Sequence, residues 1–403
     1  MKVYEINVTG VFSTGTIVKN IQRRLLDKGD GCRFAFGHGG KEDENSFALS
    51  GIWRQRFDIR AERVFGRGGL FYKGKTRKLI RDIKEFSPDI IHLHNLHGNY
   101  LDLKKLLKFL AEYDRPVILT LHDCWAFTGG CTHFTENECY KWETECNACA
   151  YKTRYFVNRI LPKENKEFSA KKKFFGAIKN LTVTTVSEWL KNTAERSFFK
   201  ERPIVTVYNG IDTNVFKKQN CDKLRNELGL NGKKVVLGVA STWTERKGLS
   251  KWKELSENLP DGYKIVLVGL NKEQTESFNG NVIALPRVKE TNELVLLYNL
   301  ADVYLNLSLE ETFGLPTAEA LSCGTPAIVL NSTACPEVVD KNTGIVLEKY
   351  SSEALIDAVR HLANRKAEIS DYCVKRVKDC FSVGRMVESY CDLYDSVLSK
   401  NDK

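Results

Sequence analysis

Short apolar segments alternate with helix-forming segments in both halves of the chain, and this alternation constrains the fold more than any other feature. The first apolar segment, Val3 to Val8, predicts a strand, and the segment from about Thr16 to Lys28 predicts a helix. A glycine-containing turn, Thr9 to Gly15, joins the two. Strands that alternate with helices imply parallel pairing through right-handed crossovers. The sequence therefore predicts a doubly wound α/β fold.

The length of the chain predicts two such domains. A single hydrophobic core rarely serves 403 residues, so we expect two domains of about 200 residues each. The content of 42% hydrophobic and 28% charged residues is typical of a soluble globular protein. No apolar run is long enough to predict a membrane span, and the opening segment lacks the apolar core of a signal peptide. We therefore expect a cytoplasmic location.

The net charge of +10 favours an anionic partner without identifying it. Part of the excess lies between Arg54 and Lys84, where eleven basic residues and several aromatic ones stand against three acidic residues. A second basic segment, the predicted helix Lys163 to Lys179, contains Lys171-Lys172-Lys173. Each segment predicts either a surface that faces an anionic membrane or a solvated helix face, and the sequence leaves both interpretations open.

The segment Glu310 to Pro326 carries two carboxylates, Glu311 and Glu319, around a predicted helix start. Pro316 fits the first turn of a helix, where its missing N–H costs nothing. The backbone N–H groups of Phe313-Gly314-Leu315 then lie at the positive end of the helix dipole. Such a turn favours binding of an anion.

The spacing of Glu311 and Glu319 matches the E-x7-E signature of the retaining family-4 glycosyltransferases, which this chain resembles. In that family the first glutamate contacts the donor sugar and the second holds the ribose hydroxyls of the nucleotide. The resemblance implies a GT-B fold, in which two Rossmann-like doubly wound domains face each other across a cleft. Taken alone, the segment is also explained by a buried helix with a surface glutamate.

The loop Ser241 to Gly248 follows a predicted strand in the second half. The family has a basic pair at this loop that contacts the donor diphosphate, and Lys247 matches its lysine. Ser241 or Thr242 occupies the usual arginine position, and Arg246 stands beside Lys247 instead. The resemblance implies that Lys247 neutralises the leaving diphosphate and that Ser241 lies at the donor site, and Arg246 could supply the second charge from a slightly different direction. Both cations are also explained as surface charges after a strand.

Two positions in the first half also resemble family sites. Gly15 belongs to a Ser/Thr/Gly turn that the family places near the donor phosphates, although it is equally explained as a turn glycine. His122 ends a predicted strand where the family has a histidine that binds the donor sugar; the alternative is a packed structural histidine. His92 and His94 share a strand face and could ligate a metal, but no carboxylate or cysteine is near them in sequence. The resemblance favours a strand end of the HxHN type without metal.

A cysteine-rich insertion occupies residues 124–150. A CxxC pair and two further cysteines, without an export signal, favour a structural zinc ion over disulfides or free thiols. The segment is polar, so a metal would replace a hydrophobic core. The residues HDxWxFTGGC from His122 onwards resemble a bacterial polysaccharide glycosyltransferase subgroup. The four candidate zinc ligands are Cys131, Cys139, Cys146 and Cys149.

The segment Val207 to Asp212 resembles the end of the family's first domain. The resemblance implies an acceptor-binding domain at residues 1–207 and a nucleotide-sugar-binding domain at residues 208–380. Residues 381–403 would form a last helix that packs back on the first domain.

The implied function is retaining transfer of a sugar from a UDP- or GDP-sugar to a lipid-linked glycan, in capsule, exopolysaccharide or O-antigen synthesis at the inner face of the membrane. The chain has no D-x-D motif, so we expect no catalytic metal, and we expect no nucleic-acid partner. Two alternatives stay open. One is a nucleotide-sugar epimerase on the same fold, and the other is a non-catalytic zinc module that binds anionic lipid.

Overall fold

The computed structural model describes residues 1–49, 72–149, 164–278 and 280–401. The chain divides into two compact units. The first comprises Met1–Val207 together with Val387–Lys403, and the second comprises Tyr208–Met386. Most of the basic segment predicted between Arg54 and Lys84 lies outside the described residues.

The first unit is built on a parallel sheet whose described strands have the order β3-β2-β1-β4-β5-β6-β7. The strand order reverses between β1 and β4, which pair in parallel with Glu5 opposite His92. This is the arrangement of a doubly wound sheet, in which ligands bind at the carboxyl ends of the strands beside the reversal. The strands are β1 (Lys2–Thr9), β2 (Gly31–His38), β3 (Ser46–Ala48), β4 (Ile90–Leu93), β5 (Val117–Leu121), β6 (Leu181–Thr185) and β7 (Ile204–Thr206).

The central strands of this sheet are buried almost throughout, as expected of a parallel sheet against which helices pack; all five residues of β5 are buried, for example. The predicted turn before the first helix is wrong from Phe12 onwards, because the helix begins at that residue. The helices are α1 (Phe12–Asp27), α2 (Lys73–Phe86), α3 (Leu103–Glu112), α4 (Glu164–Gly176) and α5 (Glu188–Ala194).

The second unit repeats the architecture with a parallel sheet of order β10-β9-β8-β11-β12-β13 among the described residues. Its order reverses between β8 and β11. The strands are β8 (Lys234–Val239), β9 (Tyr263–Val268), β10 (Val282–Leu285), β11 (Val303–Asn306), β12 (Ala327–Leu330) and β13 (Gly344–Leu347). The helices are α6 (Asp222–Glu227), α7 (Leu249–Asn258), α8 (Lys272–Glu276), α9 (Thr291–Leu300), α10 (Leu315–Ser322), α11 (Cys335–Val338) and α12 (Ser352–Cys380).

A last helix, α13 (Val383–Asn401), carries the chain from the second unit into the first. Within the first unit it presents Tyr390 and Tyr394 to the sheet, where both side chains are fully buried. The hydroxyl of Tyr394 donates to Glu5 Oε1 at 3.0 Å. None of the described helices combines the length and the apolar character that a membrane crossing requires.

The cysteine-rich insertion contains an aromatic core, contrary to the prediction that it is too polar to form one. Trp142 is buried and its ring centroid lies 5.0 Å from that of Phe127 and 4.8 Å from that of Phe134. Offset aromatic pairs at these separations stabilise packing beyond the area that they bury. The insertion is therefore held by side-chain packing as well as by its short 3-10 turns.

Candidate functional site

The order reversal of the second sheet brings together two residues that lie 64 positions apart in sequence. Lys247 lies in a 3-10 turn after β8, and Glu311 lies in the loop after β11. The ammonium of Lys247 and the carboxylate oxygen Oε1 of Glu311 are 2.5 Å apart. The structure therefore joins two predicted site residues in one ion pair at the carboxyl ends of adjacent strands.

Burial and charge act in opposite directions on Glu311. Desolvation by itself would raise the pKa of its carboxyl. The charge of Lys247 and the hydrogen bond from that residue lower the pKa by more than desolvation raises it. Ser308 Oγ also donates to Glu311 Oε1, at 3.0 Å. Glu311 is thus an ionised carboxylate that depends on its lysine partner.

Gly248 allows the loop after β8 to approach β11 closely. Its φ of +77° lies in the left-handed region, and a Cβ atom there would come within 2.4 Å of the carbonyl oxygen of Leu307. The main chain on either side is hydrogen bonded, since Leu309 N donates to Arg246 O at 2.8 Å. Arg246 Nη1 in turn donates to Glu310 O at 3.2 Å. The predicted cation Arg246 is therefore tied to the loop that carries Glu311.

The N-terminus of helix α10 follows this loop directly. Gly314 is its N-cap, with φ of +99°. The side chain of Phe313 is buried and packs against Phe381 at 5.4 Å between ring centroids, so Phe313 offers the site its main chain only. Leu315 is the first helical residue and Pro316 lies in the first turn, as predicted.

Thr333 was not singled out by the sequence, yet it holds Glu311 in place. Its hydroxyl accepts a hydrogen bond from Glu311 N at 2.8 Å and donates to Glu311 O at 2.8 Å. Thr333 has φ of +49°, which is uncommon for a β-branched residue. Thr333 therefore fixes the main chain of Glu311 through its side-chain hydroxyl.

Glu319 lies one turn into α10 and faces Tyr298 of α9. The Tyr298 hydroxyl donates to Glu319 Oε2 at 2.7 Å. Burial raises the pKa of Glu319 to about 7, and the tyrosine opposes this shift. Ser241, by contrast, is exposed in the loop after β8.

In the first unit, His122 follows β5 directly and is nearly buried. It lines a small pocket at the carboxyl ends of the central strands, together with His94, Asn95 and Asp123. Asp123 accepts a hydrogen bond from His97 Nε2 at 2.9 Å. This dyad was missed because its members come from loops after different strands.

Gly15 lies inside helix α1 and not in a turn, contrary to the prediction. A Cβ atom at this position would come within 2.9 Å of the Thr9 carbonyl oxygen. Close packing of α1 on the end of β1 is therefore sufficient to require glycine here.

A fully buried carboxylate also lies beside the strand histidines. Glu5 Oε2 is 2.9 Å from His94 Nε2 and 3.2 Å from His92 Nδ1. Among the described residues, these three form a group whose possible metal-ligand atoms lie within 4.8 Å of one another. The group already forms internal hydrogen bonds and a further one with Tyr394, which accounts for its burial without a metal. Glu5 was missed because it comes from β1, 87 residues before His92.

The insertion cysteines do not form such a group within the described part of the chain. Cys146 accepts a hydrogen bond from Gly129 N at 3.1 Å, and Cys149 N donates to Glu164 Oε1 at 3.1 Å. Among the described residues, no three of the candidate ligands Cys131, Cys139, Cys146 and Cys149 have their sulfur atoms within 4.8 Å of one another, so the structure does not bring them together as a metal-binding group.

The prediction that Lys171, Lys172 and Lys173 could all face a membrane is wrong for Lys171, which is buried. Its side chain is 1% exposed, and Nζ donates to Trp125 O at 2.6 Å while lying 4.0 Å from the centroid of the Trp125 ring. Burial lowers the pKa of Lys171 to about 8. Lys172 and Lys173 are exposed, so α4 offers two of the three charges to solvent.

Comparison with known proteins identifies the family. The sequence profile described as Glycosyltransferase Family 4 matches residues 14–215, half of the chain, and the profile described as Glycosyl transferases group 1 matches residues 220–379. The chain belongs to glycosyltransferase family 4. Its two Rossmann-like units have the GT-B fold, as predicted.

Individual relatives agree with this assignment. WcaC of Escherichia coli K12, assigned as a colanic acid biosynthesis glycosyl transferase, is 25% identical, and the match covers 94% of this family-4 chain and 96% of WcaC. A glycosyltransferase of Rickettsia africae has a similar fold, with a TM-score of 0.69 at 14% identity over 98% of each chain. Anabaena HepE, solved in complex with UDP-glucose, gives a TM-score of 0.64 at 16% identity over 98% of this chain and 100% of HepE.

Proposed function

We propose that this family-4 glycosyltransferase moves a sugar from a nucleotide-sugar donor to a lipid-linked glycan, with retention at the anomeric carbon. The observation that carries the proposal is the Lys247–Glu311 ion pair at the order reversal of the second sheet. Ligands of doubly wound sheets bind at this place. The N-terminus of α10 lies beside the pair and favours an anion such as a diphosphate.

The proposed roles follow from charge and position. Lys247 and Arg246 neutralise the diphosphate as the sugar–phosphate bond breaks, and the main-chain N–H groups of Phe313-Gly314-Leu315 assist them. Glu311 orients Lys247 and binds a hydroxyl of the sugar. Glu319 accepts hydrogen bonds from the ribose, with exposed Ser241 at the edge of the same site.

No protein carboxylate acts as nucleophile in the proposed reaction. The departing phosphate takes the proton of the acceptor hydroxyl, and the oxygen of that hydroxyl bonds to the anomeric carbon on the face that the phosphate leaves. The products are the lengthened glycan and the nucleoside diphosphate. Orientation and charge stabilisation then supply the rate enhancement.

The first unit is proposed to bind the acceptor. His122 would contact a hydroxyl of the donor sugar, and the nearby pocket presents the His97–Asp123 dyad as a polar partner for a carbohydrate. Gly15 is needed for packing, and a donor-binding role for its main chain stays a hypothesis.

Purified variants test the proposed site. Glu311→Ala and Lys247→Ala should each abolish sugar transfer, since each leaves a charge of the ion pair without its partner. Lys223→Ala, which removes a side chain that is 91% exposed in the same unit, should transfer normally. Turnover retained in the first two variants contradicts the proposal. Donor conversion without any acceptor would instead indicate an epimerase.

The donor is proposed to be a UDP- or GDP-sugar. The complex of HepE with UDP-glucose supports testing UDP-sugars first. A thermal-shift screen with UDP-, GDP- and dTDP-sugars should raise the melting temperature for one nucleotide, because a ligand bound only by the folded state stabilises it. Absence of nucleotide-sugar binding in calorimetry would favour a non-catalytic binding module.

The pathway is proposed to be the synthesis of a capsule, exopolysaccharide or O-antigen at the inner face of the cytoplasmic membrane. The full-length match to a colanic acid relative supports this class of product. The exposed basic side chains of α2 support a peripheral contact with anionic lipid.

Zinc binding by the insertion is a separate hypothesis that rests on residue types and spacing alone. Elemental analysis of the reductively purified protein tests it. A content below about half an equivalent of zinc rejects a structural site of the kind that folds small loops.

A further inference from the structure

Glu5 is a fully buried carboxylate for which the proposed reaction has no role. It lies in β1, opposite His92 in β4, and its exposed fraction is 0%. A buried charge is costly unless it is paired and hydrogen bonded. Glu5 meets this condition through His92, His94 and Tyr394.

His94 continues this network to His122. Its Nε2 is 2.9 Å from Glu5 Oε2, and its Nδ1 is 3.0 Å from His122 Nε2. The rings of His94 and His122 are nearly parallel, at 20° and 5.3 Å between centroids. The carboxylate is thus connected to the candidate sugar-binding histidine through one intervening imidazole.

The chemistry of the donors and acceptors sets the direction of each hydrogen bond. An ionised carboxylate only accepts, so His94 Nε2 carries the hydrogen. A neutral imidazole has one N–H, so His94 Nδ1 accepts, and His122 Nε2 is the donor. The hydrogen of His122 is therefore on Nε2, and Nδ1 carries the lone pair.

The charge states agree with this assignment. Burial would raise the pKa of Glu5, but His92 and His94 lower it to about 2. Burial lowers the pKa of His94 to about 4 and that of His122 well below its usual value. At neutral pH the chain of groups is one carboxylate followed by two neutral imidazoles.

We propose that Glu5 is a positioning residue for sugar transfer, acting through His94 to hold His122 in the Nε2–H tautomer. The contact of His122 with the sugar rests on the proposed function, but the tautomer does not. A carboxylate that orients a histidine through a hydrogen bond is a general means of selecting the tautomer.

The first measurement is the tautomer of His122 in the ligand-free wild-type protein. Long-range 1H–15N correlations of histidine-labelled protein separate the seven histidines, and the signal lost in His122→Asn assigns the residue. We expect a single Nε2–H form. An Nδ1–H form in the wild type overturns the proposal without any variant of Glu5.

Glu5→Gln is the second test. The glutamine keeps the shape of the side chain, but it no longer requires His94 Nε2 to carry the hydrogen and donate it. We expect mixed tautomers of His122 and a kcat lower by about tenfold, comparable to the loss of one charge-assisted hydrogen bond, with a donor KM within about twofold of wild type. A wild-type kcat overturns the positioning role, and so does a lower kcat with an unchanged His122 tautomer.

Tyr4→Phe is the matched control. It removes another hydrogen bond made by a buried side chain of β1, from the Tyr4 hydroxyl to Asp82 Oδ2 at 2.5 Å; Asp82 in turn pairs with Arg33 and not with the histidines. We expect wild-type kcat and tautomer even if the melting temperature falls. A kcat loss equal to that of Glu5→Gln would show a merely structural effect and overturn the proposal. If wild-type protein transfers no sugar, the proposed function fails while the tautomer measurement still stands.

Discussion

At the scale of single residues, the ion pair of Lys247 and Glu311 contributes to both stability and chemistry. The side chains are 22% and 14% exposed, so each charge depends on its partner for solvation. Ser308 Oγ donates to the carboxylate of Glu311, and Thr333 Oγ1 accepts from the main-chain N–H of Glu311 and donates to its main-chain carbonyl. The unbound site is therefore already arranged for a ligand that places its negative charge beside Lys247.

Lys247→Met should lower the free energy of unfolding at pH 7 by about 1–2 kcal/mol, a value reduced for partial exposure. The native pKa of Glu311 is lowered, so its contribution is present above the unfolded pKa of about 4.3 and is lost as the pH falls through the native pKa. Urea unfolding at pH 7 and at pH 3 measures this difference. In a Glu311→Gln background the effect of Lys247→Met should not depend on pH. In the protein that keeps Glu311, an effect of Lys247→Met that is as large at pH 3 as at pH 7 contradicts the prediction.

The titration of Glu319 should make donor binding depend on pH. Its pKa is raised to about 7 in the ligand-free protein, and ribose hydroxyls donate best to the ionised form. Affinity for the donor should therefore rise by about tenfold between pH 6 and pH 8. Calorimetry with an intact nucleotide sugar and no acceptor measures this change. Glu319→Gln should bind more weakly with no such slope, and an equal slope in that variant assigns the titration elsewhere.

At the scale of secondary-structure elements, the donor site depends on how closely two loops approach each other. The turn after β8 contacts the end of β11 at Gly248, and α10 begins directly after the loop that follows β11. Both loops start at strands that are neighbours in the sheet. A displacement of either loop would separate Lys247 from Glu311.

Gly248→Ala should destabilise the protein and abolish donor binding. An L side chain in the left-handed region costs about 1–2 kcal/mol, and the contact with Leu307 O adds to this. Gly232→Ala is the matched control, because Gly232 has φ of +69° with no atom within 4 Å of the added Cβ. In denaturation, we expect Gly232→Ala to show only the cost of placing an L residue in the left-handed region. In calorimetry, we expect this variant to bind the donor normally. Equal effects of the two substitutions would contradict the role of the close approach.

At the scale of the whole molecule, the two units use the same sheet order, and in each the candidate residues lie beside the order reversal. In the first unit these are Glu5, His92, His94 and the adjacent His122. In the second they are Lys247 and Glu311. The net charge of +10 belongs to the chain as a whole and favours association with anionic surfaces.

The protein should bind vesicles of anionic lipid more strongly than neutral vesicles, and less strongly at high salt. Replacing four of the five exposed basic residues of α2 with glutamine should weaken this binding by at least about tenfold, at about 1 kcal/mol per charge before screening. Lys171→Met should have no effect, because its ammonium is buried. Co-sedimentation measures the partition, and equal binding to neutral vesicles would contradict a peripheral membrane role. The four replaced residues are Arg77, Lys78, Arg81 and Lys84.

Local chemistry made much of the fold predictable. The apolar segment Val3 to Val8, predicted as a strand, lies within β1, and Ser187 caps α5 by accepting a hydrogen bond from Leu190 N. The start of α10 at Leu315 follows from the neighbouring glycine and proline. Each of these features depends only on residues within one turn or one strand, so the local sequence is sufficient to predict it.

The contacts of the site depend on residues that are distant in sequence, and only the tertiary structure decides them. The amino-acid sequence by itself determined the α/β class, the alternation of strands and helices, and the candidate pair Glu311 and Glu319. It could not show that Glu5 lies against His94, that Lys171 is buried over Trp125, or that aromatic side chains fill the insertion. Parallel pairing joins strands across long crossovers, so which side chains meet at a strand end depends on sheet order, and no local pattern records that order.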